Sequence, residues 1–172
     1  MSQYANFYIR PFDDKPYIPI ADHSRSSAVY HICGDSLPYC EVKPLTQMDL
    51  TSFIVSARDE QQEWRNRIHS YEAQKASIAN FNNTVEEKQA AIADIQLYID
   101  ECSEELAAYQ TAEDFFYFLK ELIPFGTETP YLYAGIECNP NVSEEKLPLF
   151  FFFYFYKKIL YNLYRKKRKE LV

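Results

Sequence analysis

Between Leu45 and Ile123 the apolar positions recur at alternating steps of four and three. In a first arm, Leu50, Ile54, Ala57, Gln61, Trp64, Ile68, Tyr71, Lys75 and Ile78 keep this spacing. In a second arm, Val85, Lys88, Ile92, Ile95, Ile99, Cys102, Leu106, Tyr109, Glu113 and Phe116 do the same. Steps of three and four put one stripe on one helix face, and sustained over several heptads they predict a coiled coil. Neither arm contains an internal Pro or Gly, the residues that most readily stop a helix. The polar turn Asn80-Phe81-Asn82-Asn83-Thr84 lies between them. The pattern therefore predicts a helical hairpin, with arms over residues 45–80 and 84–123.

The two stripes also suggest how the arms face each other. In an antiparallel pair, facing positions have a constant sum of residue numbers. Ile78 with Val85, Tyr71 with Ile92, Ile68 with Ile95, Trp64 with Ile99, Ala57 with Leu106 and Ile54 with Tyr109 all total 163. The same register sets Gln61 against Cys102, Leu50 against Glu113 and Lys75 against Lys88. Two lysines in one layer conflict unless their stems cover the seam and their ammonium groups reach water. Thr84 with Glu87 predicts a capping box at the start of the second arm, and Thr46 with Asp49 a cap on the first. Thr111 to Asp114 repeats a capping pattern, which predicts a kink or restart there. Beyond it, Phe115, Phe116, Phe118, Leu119, Leu122 and Ile123 cover more than a stripe, as in a helix buried on several sides. The base of the hairpin, beside Leu50 and Phe53, is thus aromatic and its tip polar.

The flanks supply short strands. Tyr4 to Arg10 is rich in aromatic and β-branched residues, and Tyr17 to Ile20 reads as its partner across the Asp13–Pro16 turn. Pro16 and Pro19 demote the second to a sheet edge. Ala28 to Cys33 reads as a short helix capped by Ser24, Ser26 or Ser27 and stopped by Gly34, with a strand as the competing reading. Tyr39 to Lys43 gives a third strand, and Tyr131 to Cys138 alternates as a fourth. Pro124 ends the second arm, and an apolar base needs a partner layer. The fold class expected is α+β: a long antiparallel two-helix coiled-coil hairpin projecting from a small antiparallel β-sheet base. One domain over residues 1–148 would carry it, followed by a tail over 149–172.

Charge divides the chain at the same place. Residues 1–148 hold 11 basic and 24 acidic side chains, whereas residues 149–172 hold 7 and 1. An acidic body repels nucleic acid and anionic membranes, so no direct nucleic-acid binding by the body is expected. The tail has the opposite character. Phe150 to Tyr156 is an unbroken aromatic run, and Lys157, Lys158, Arg165, Lys166, Lys167, Arg168 and Lys169 follow it. Counted from Leu147 to Tyr156, the apolar stretch is about half of the roughly 20 residues that a spanning helix needs. Three uses remain open: an interfacial helix on anionic lipid, docking into a core or partner, or no use at all. In the last case the tail is translated A/T-rich DNA downstream of a frame that ended near Lys146. The four cysteines show no CxxC spacing and no signal peptide follows Met1. These features read as free thiols in a cytoplasmic protein, with a peripheral place at the inner face of the membrane open to it through the tail.

No catalytic, metal or phosphate motif stands out, and three glycines exclude a glycine-rich loop. Asp22-His23-Ser24 reads as a polar turn, since catalytic groups are assembled by the fold rather than by adjacency. His31, Cys33 and Cys40 lack the paired spacing of structural zinc, and Cys33 reads as an apolar core residue. His69 reads as a solvated helix residue. The strand aromatics Tyr4, Phe7, Tyr17, Tyr39, Tyr131 and Tyr133 lack the basic neighbours that base stacking needs, and read as core. No cofactor is expected. An enzyme would require His23, His31 or acidic residues to converge in a cleft.

The densest acidic stretch is Asp100, Glu101, Glu104 and Glu105. Like charges at i and i+4 cost a few tenths of a kcal/mol each. Such a patch either mimics nucleic-acid phosphates in a basic groove or is neutralised by Arg58, Arg65 and Arg67, which the register above places nearby. These acidic residues, with Asn82 and Asn83 at the tip, are the candidate partner-binding positions. The expected function is non-enzymatic: a hairpin surface that grips a protein, such as a nucleic-acid-binding enzyme with a basic groove. The helices could also join two copies of the chain. In size, charge and layout the chain resembles accessory proteins of phages and mobile elements, including inhibitors of restriction or CRISPR nucleases. The alternative is a peripheral membrane protein bound through its aromatic-basic tail.

Overall fold

The computed structural model describes residues 4–10, 16–20, 26–122, 132–138 and 140. The Asp13–Lys15 part of the first turn, Asp22-His23-Ser24, Tyr131, Ile123–Pro124 and the tail from 149 onward lie outside them. In chain order come β1 (Ala5–Ile9), β2 (Ile18–Pro19), α1 (Ser27–Cys33), β3 (Lys43–Pro44), α2 (Gln47–Ser77), α3 (Val85–Leu122) and β4 (Leu132–Ile136). The architecture is α+β, a small antiparallel sheet with a helical hairpin.

The sheet order is β2-β1-β4-β3. β1 and β4 form its centre, paired antiparallel with Phe7 opposite Ala134. The proline-bearing β2 occupies an edge, where a missing backbone N–H costs no ladder bond. Alternation along the two central strands divides their side chains between two faces. Ala5, Phe7, Ile9, Leu132, Ala134 and Ile136 enter the main core. Tyr8 and Tyr133 point the other way and cluster with Cys138, Tyr17 and Val42. Of the strand aromatics, Phe7 and Tyr133 are buried, while Tyr4 and Tyr39 are exposed. The core reading therefore holds for only part of that set.

Three expectations need correction: the third strand, the break in the second arm and the register of the hairpin. The third strand is only Lys43–Pro44, and Tyr39 makes an isolated parallel bridge to Ile136 instead. Pro38 accepts a hydrogen bond from the Ile136 amide and Cys40 donates one to the Ile136 carbonyl, both at 2.8 Å. This brings the 38–42 loop across β4 so closely that a Cβ on Gly135 would sit 1.9 Å from the Glu41 carbonyl oxygen. Only glycine fits such an approach. The short helix itself ends where the sequence predicts, at Cys33 with Gly34 as its C-cap, and the chain runs on from there, with φ of −55° at Gly34, as a 3-10 turn through Ser36. Second, α3 runs unbroken through Thr111, whose hydroxyl bonds back to the Ala107 carbonyl at 2.9 Å. A threonine inside a helix satisfies its hydroxyl this way without capping a new one.

Both arms begin as the sequence predicts. The Thr46 amide donates to Asp49 at 2.8 Å and the Asp49 amide to the Thr46 hydroxyl at 3.1 Å. Partial burial pushes the Asp49 carboxyl up, but the Thr46 and Lys43 contacts outweigh it and hold its pKa below the ordinary carboxylate value. Thr84 and Glu87 form the reciprocal box at the start of α3. Each box satisfies two amides that a helix start leaves open.

The stripes are the seam. Every predicted position of the first arm, from Leu50 to Ile78, is buried or half-buried, and so is every one of the second except Val85. The register, however, is one heptad away from the expected one. Phe53 meets Phe116 and Tyr71 stacks on Tyr98. Arg58 pairs with Glu113 at 2.7 Å, Gln61 reaches the Tyr109 carbonyl at 3.4 Å, Lys75 reaches Gln96 at 2.6 Å and Lys120 reaches Thr51 at 2.8 Å. These pairs total 169 to 171. The slip removes the Lys75–Lys88 clash, because Lys88 now bonds the Ala79 carbonyl at 3.1 Å. It also gives Glu113 polar partners in place of Leu50. The start of α3 then overhangs the end of α2, leaving Phe81 and Val85 exposed beside Asn82 and Asn83.

The aromatic base joins sheet to hairpin as the pattern predicts. The Phe7 ring lies edge-on to Phe115 at 5.2 Å and to Phe116 at 6.4 Å, and Phe116 meets Phe53 at 5.2 Å. Edge-on pairs of this kind add about 0.5–1.5 kcal/mol beyond area burial. The main core draws on α2 as far as Trp64 and on α3 from Ala108 onward. The halves of the arms toward the tip lie outside it.

The register generates a stability prediction. Gln61 is 3 % exposed, and its amide donates to Glu113 at 2.7 Å. Glu113→Leu strands the amide proton that Glu113 accepts, leaving only the 3.4 Å contact to the Tyr109 carbonyl, and should lower unfolding stability by about 1–3 kcal/mol. Adding Gln61→Leu removes the stranded group, so the double variant should recover most of the loss in urea denaturation. Additive losses would contradict the pairing.

Candidate functional site

The described surface of the hairpin carries an open groove of about 430 Å³ between the middle of α2 and the middle of α3. From α2 it takes Trp64, Arg67 and Tyr71, and from α3 Tyr98 and Cys102. Glu101, Glu104 and Glu105 line it as well. The spacing explains the composition. Trp64 and Tyr71 are seam positions seven apart, and Arg67 falls three after Trp64 on the neighbouring flank. On α3, Tyr98, Glu101, Cys102 and Glu105 recur at steps of three and four. The heptad slip decides which halves meet, since the expected register would have set Tyr71 against Ile92.

Within the groove the aromatic rings are ordered. Tyr71 and Tyr98 stack with centroids 5.6 Å apart and planes 15° apart. The Arg67 guanidinium lies 4.3 Å from the centre of the Trp64 ring and is bonded to Glu63 one turn earlier. That hydrogen bond raises the Arg67 pKa, so the group stays charged. Cys102 is buried at the floor, while Tyr98 is 52 % exposed and Glu101, Glu104 and Glu105 are exposed. Deeper in the seam, burial raises the Tyr109 hydroxyl pKa, and Glu60, Glu105 and Glu63 raise it further.

The arginines expected to neutralise the acidic stretch are engaged elsewhere. Arg58 binds Glu113 and Tyr117, Arg65 binds Gln61 at 2.9 Å, and Arg67 binds Glu63. The slip carries Arg58 one heptad past its expected neighbours, whereas Arg65 and Arg67 are held by Gln61 and Glu63 of their own helix. Of the four acidic candidates, Asp100 accepts a hydrogen bond from Gln96 at 2.8 Å. Among the described residues, no ion pair holds Glu101, Glu104 or Glu105.

The remaining candidates do not join this groove. Asn82 and Asn83 are exposed at the tip, roughly 24 Å along α3 from Glu101 at 1.5 Å per residue. Lys157, Lys158, Arg165, Lys166, Lys167, Arg168 and Lys169 lie outside the described residues. Among the described residues no helix is long and apolar enough to cross a membrane, and no three His, Cys, Asp or Glu side chains gather as metal ligands would. Cys33 is in the core with its thiol donating to the Val29 carbonyl at 3.0 Å, whereas His31 lies 3.4 Å from Glu60. His69 is exposed near Glu72. No family model, curated protein or solved structure matches the chain.

Charge density in the sequence locates the acidic half of the groove and misses the aromatic half. Spacing assigns Trp64 and Tyr71 to the seam and does not single out Tyr98. The available signal is Tyr98 itself, an aromatic one position off the α3 stripe.

Thiol accessibility tests the local environments. Cys40 is exposed, whereas Cys33, Cys102 and Cys138 are buried. Burial also pushes the Cys33 thiol up to about 12, so it carries no reactive thiolate at mild alkaline pH. Titration of the folded protein with an aromatic disulfide reagent should show one fast thiol, abolished by Cys40→Ser. Two or more equally fast thiols would contradict the burial of the seam and core.

Proposed function

We propose that the chain is a non-enzymatic interaction protein that grips a basic surface of a protein partner with the groove side of its hairpin. One observation carries the reading: Glu101, Glu104 and Glu105 are exposed together with no ion pair among the described residues, while the nearby arginines bond to other groups. Like charges one turn apart cost the helix stability. They suit a site whose opposite charges arrive from outside, where complementarity speeds encounter and selects the partner.

The finer form of the proposal is that the partner is a nucleic-acid-binding enzyme. Carboxylates in successive turns of a rigid helix would occupy the groove in which that enzyme holds phosphates. An inhibitor of a restriction or CRISPR nuclease, of the kind phages and mobile elements carry, would work in this way. The alternative places the contact in the tail, through its aromatic run and basic cluster on anionic lipid.

Replacing Glu101, Glu104 and Glu105 by Lys together tests the main reading. Affinity capture from host cells with the full chain should enrich a basic nucleic-acid-binding protein, released by moderate salt. The triple variant should fold, by circular dichroism, and lose that partner by about tenfold or more. Undiminished capture would rule out acidic mimicry, and liposome flotation that requires residues 149–172 would favour the membrane alternative.

A further inference from the structure

The groove specifies more than a negative surface. Its lining brings three carboxylates against one guanidinium, and Glu63 already satisfies that guanidinium. The site as a whole therefore attracts a cation. The stacked Tyr71–Tyr98 pair and the Trp64 ring add flat π faces beside the carboxylates, and such faces attract cations over their centres. The groove, about 430 Å³ and open to solvent, has room for a side chain laid against its wall.

Both features favour arginine over lysine. A guanidinium is planar, stacks on aromatic rings and meets carboxylates through a fork of donors, whereas an ammonium is a compact, strongly hydrated point charge. The same groove already contains the contact, in Arg67 stacked over Trp64. We propose that the groove receives an arginine side chain from a basic segment of the partner protein, stacked on the exposed Tyr98 ring and held by Glu101, Glu104 and Glu105. The inference rests on the reading that the hairpin grips a basic protein surface, and it names the anchor of that grip.

Trp64 is the single tryptophan of the chain, so its emission reports on the groove directly. The full-length protein is titrated with an acetylated, amidated hexapeptide of alternating Gly and Arg, and with its Gly-Lys counterpart, at physiological salt. The arginine peptide should change Trp64 emission saturably and bind about tenfold more tightly than the lysine peptide. Combined Glu101→Gln, Glu104→Gln and Glu105→Gln should weaken it about tenfold, and so should Tyr98→Leu. A control carrying Asp59→Asn, Glu86→Gln and Glu41→Gln removes the same charge elsewhere and should change affinity by less than about twofold.

Equal losses in the two charge variants, or no change in emission, would overturn the pocket in favour of general attraction to an acidic body. Free arginine amide binding as tightly as the peptide would overturn the protein anchor in favour of a small-cation site. Partner capture separates the two readings. A partner lost with the lysine triple variant but kept by Tyr98→Leu leaves the acidic face standing and sinks the arginine pocket.

Discussion

The register between the two long helices is the constraint on which the rest of this structure depends. A heptad stripe can pair with its partner in more than one offset, because sliding one helix by seven residues returns apolar side chains to apolar holes. Polar residues in the seam break that degeneracy. Gln61 is buried and finds Glu113, and Glu113 also holds Arg58. In the other offset Glu113 would face Leu50, and Lys75 would face Lys88. A buried polar group without a partner costs more than a misplaced methylene, so these few residues select the offset that the apolar layers leave open.

The offset has mechanical and chemical consequences. Phe53 and Phe116 come together where Phe7 of the sheet meets them, and the hairpin is thereby fixed to β1. The sheet is itself closed around β4, whose Gly135 admits the 38–42 loop at backbone contact. At the other end the overhang of α3 turns Phe81 and Val85 outward, so the tip is less polar than its asparagines suggest. Halfway along, the same offset sets Trp64 and Tyr71 beside Tyr98, Glu101 and Cys102 and creates the groove. The proposed function sits at a place that neither helix defines alone.

Much of this was legible in the residues. The stripes of both arms, the capping boxes at Thr46 and Thr84, the edge position of the proline strand and the aromatic base are local patterns with direct physical causes. Register was not legible, because periodicity reports which face is apolar and says nothing about translation along it; only the Lys75–Lys88 conflict marked the expected offset as doubtful. The groove was half legible for the same reason. Charge density revealed Glu101, Glu104 and Glu105 on one helix, but the aromatic wall is contributed by the other helix at a height set by the offset. β3 was misplaced because Tyr39 to Lys43 reads as a strand by residue type while its backbone, with φ of 60° at Cys40, turns over β4 instead of pairing along it.

Nuclear Overhauser contacts between assigned aromatic side chains test the central claim most directly, since register and groove stand or fall together. The account predicts contacts between the Tyr71 and Tyr98 rings and between the Trp64 indole and the Cys102 methylene. Contacts from Tyr71 to the Ile92 methyl groups, with none between Tyr71 and Tyr98, would place the helices one heptad away and contradict it.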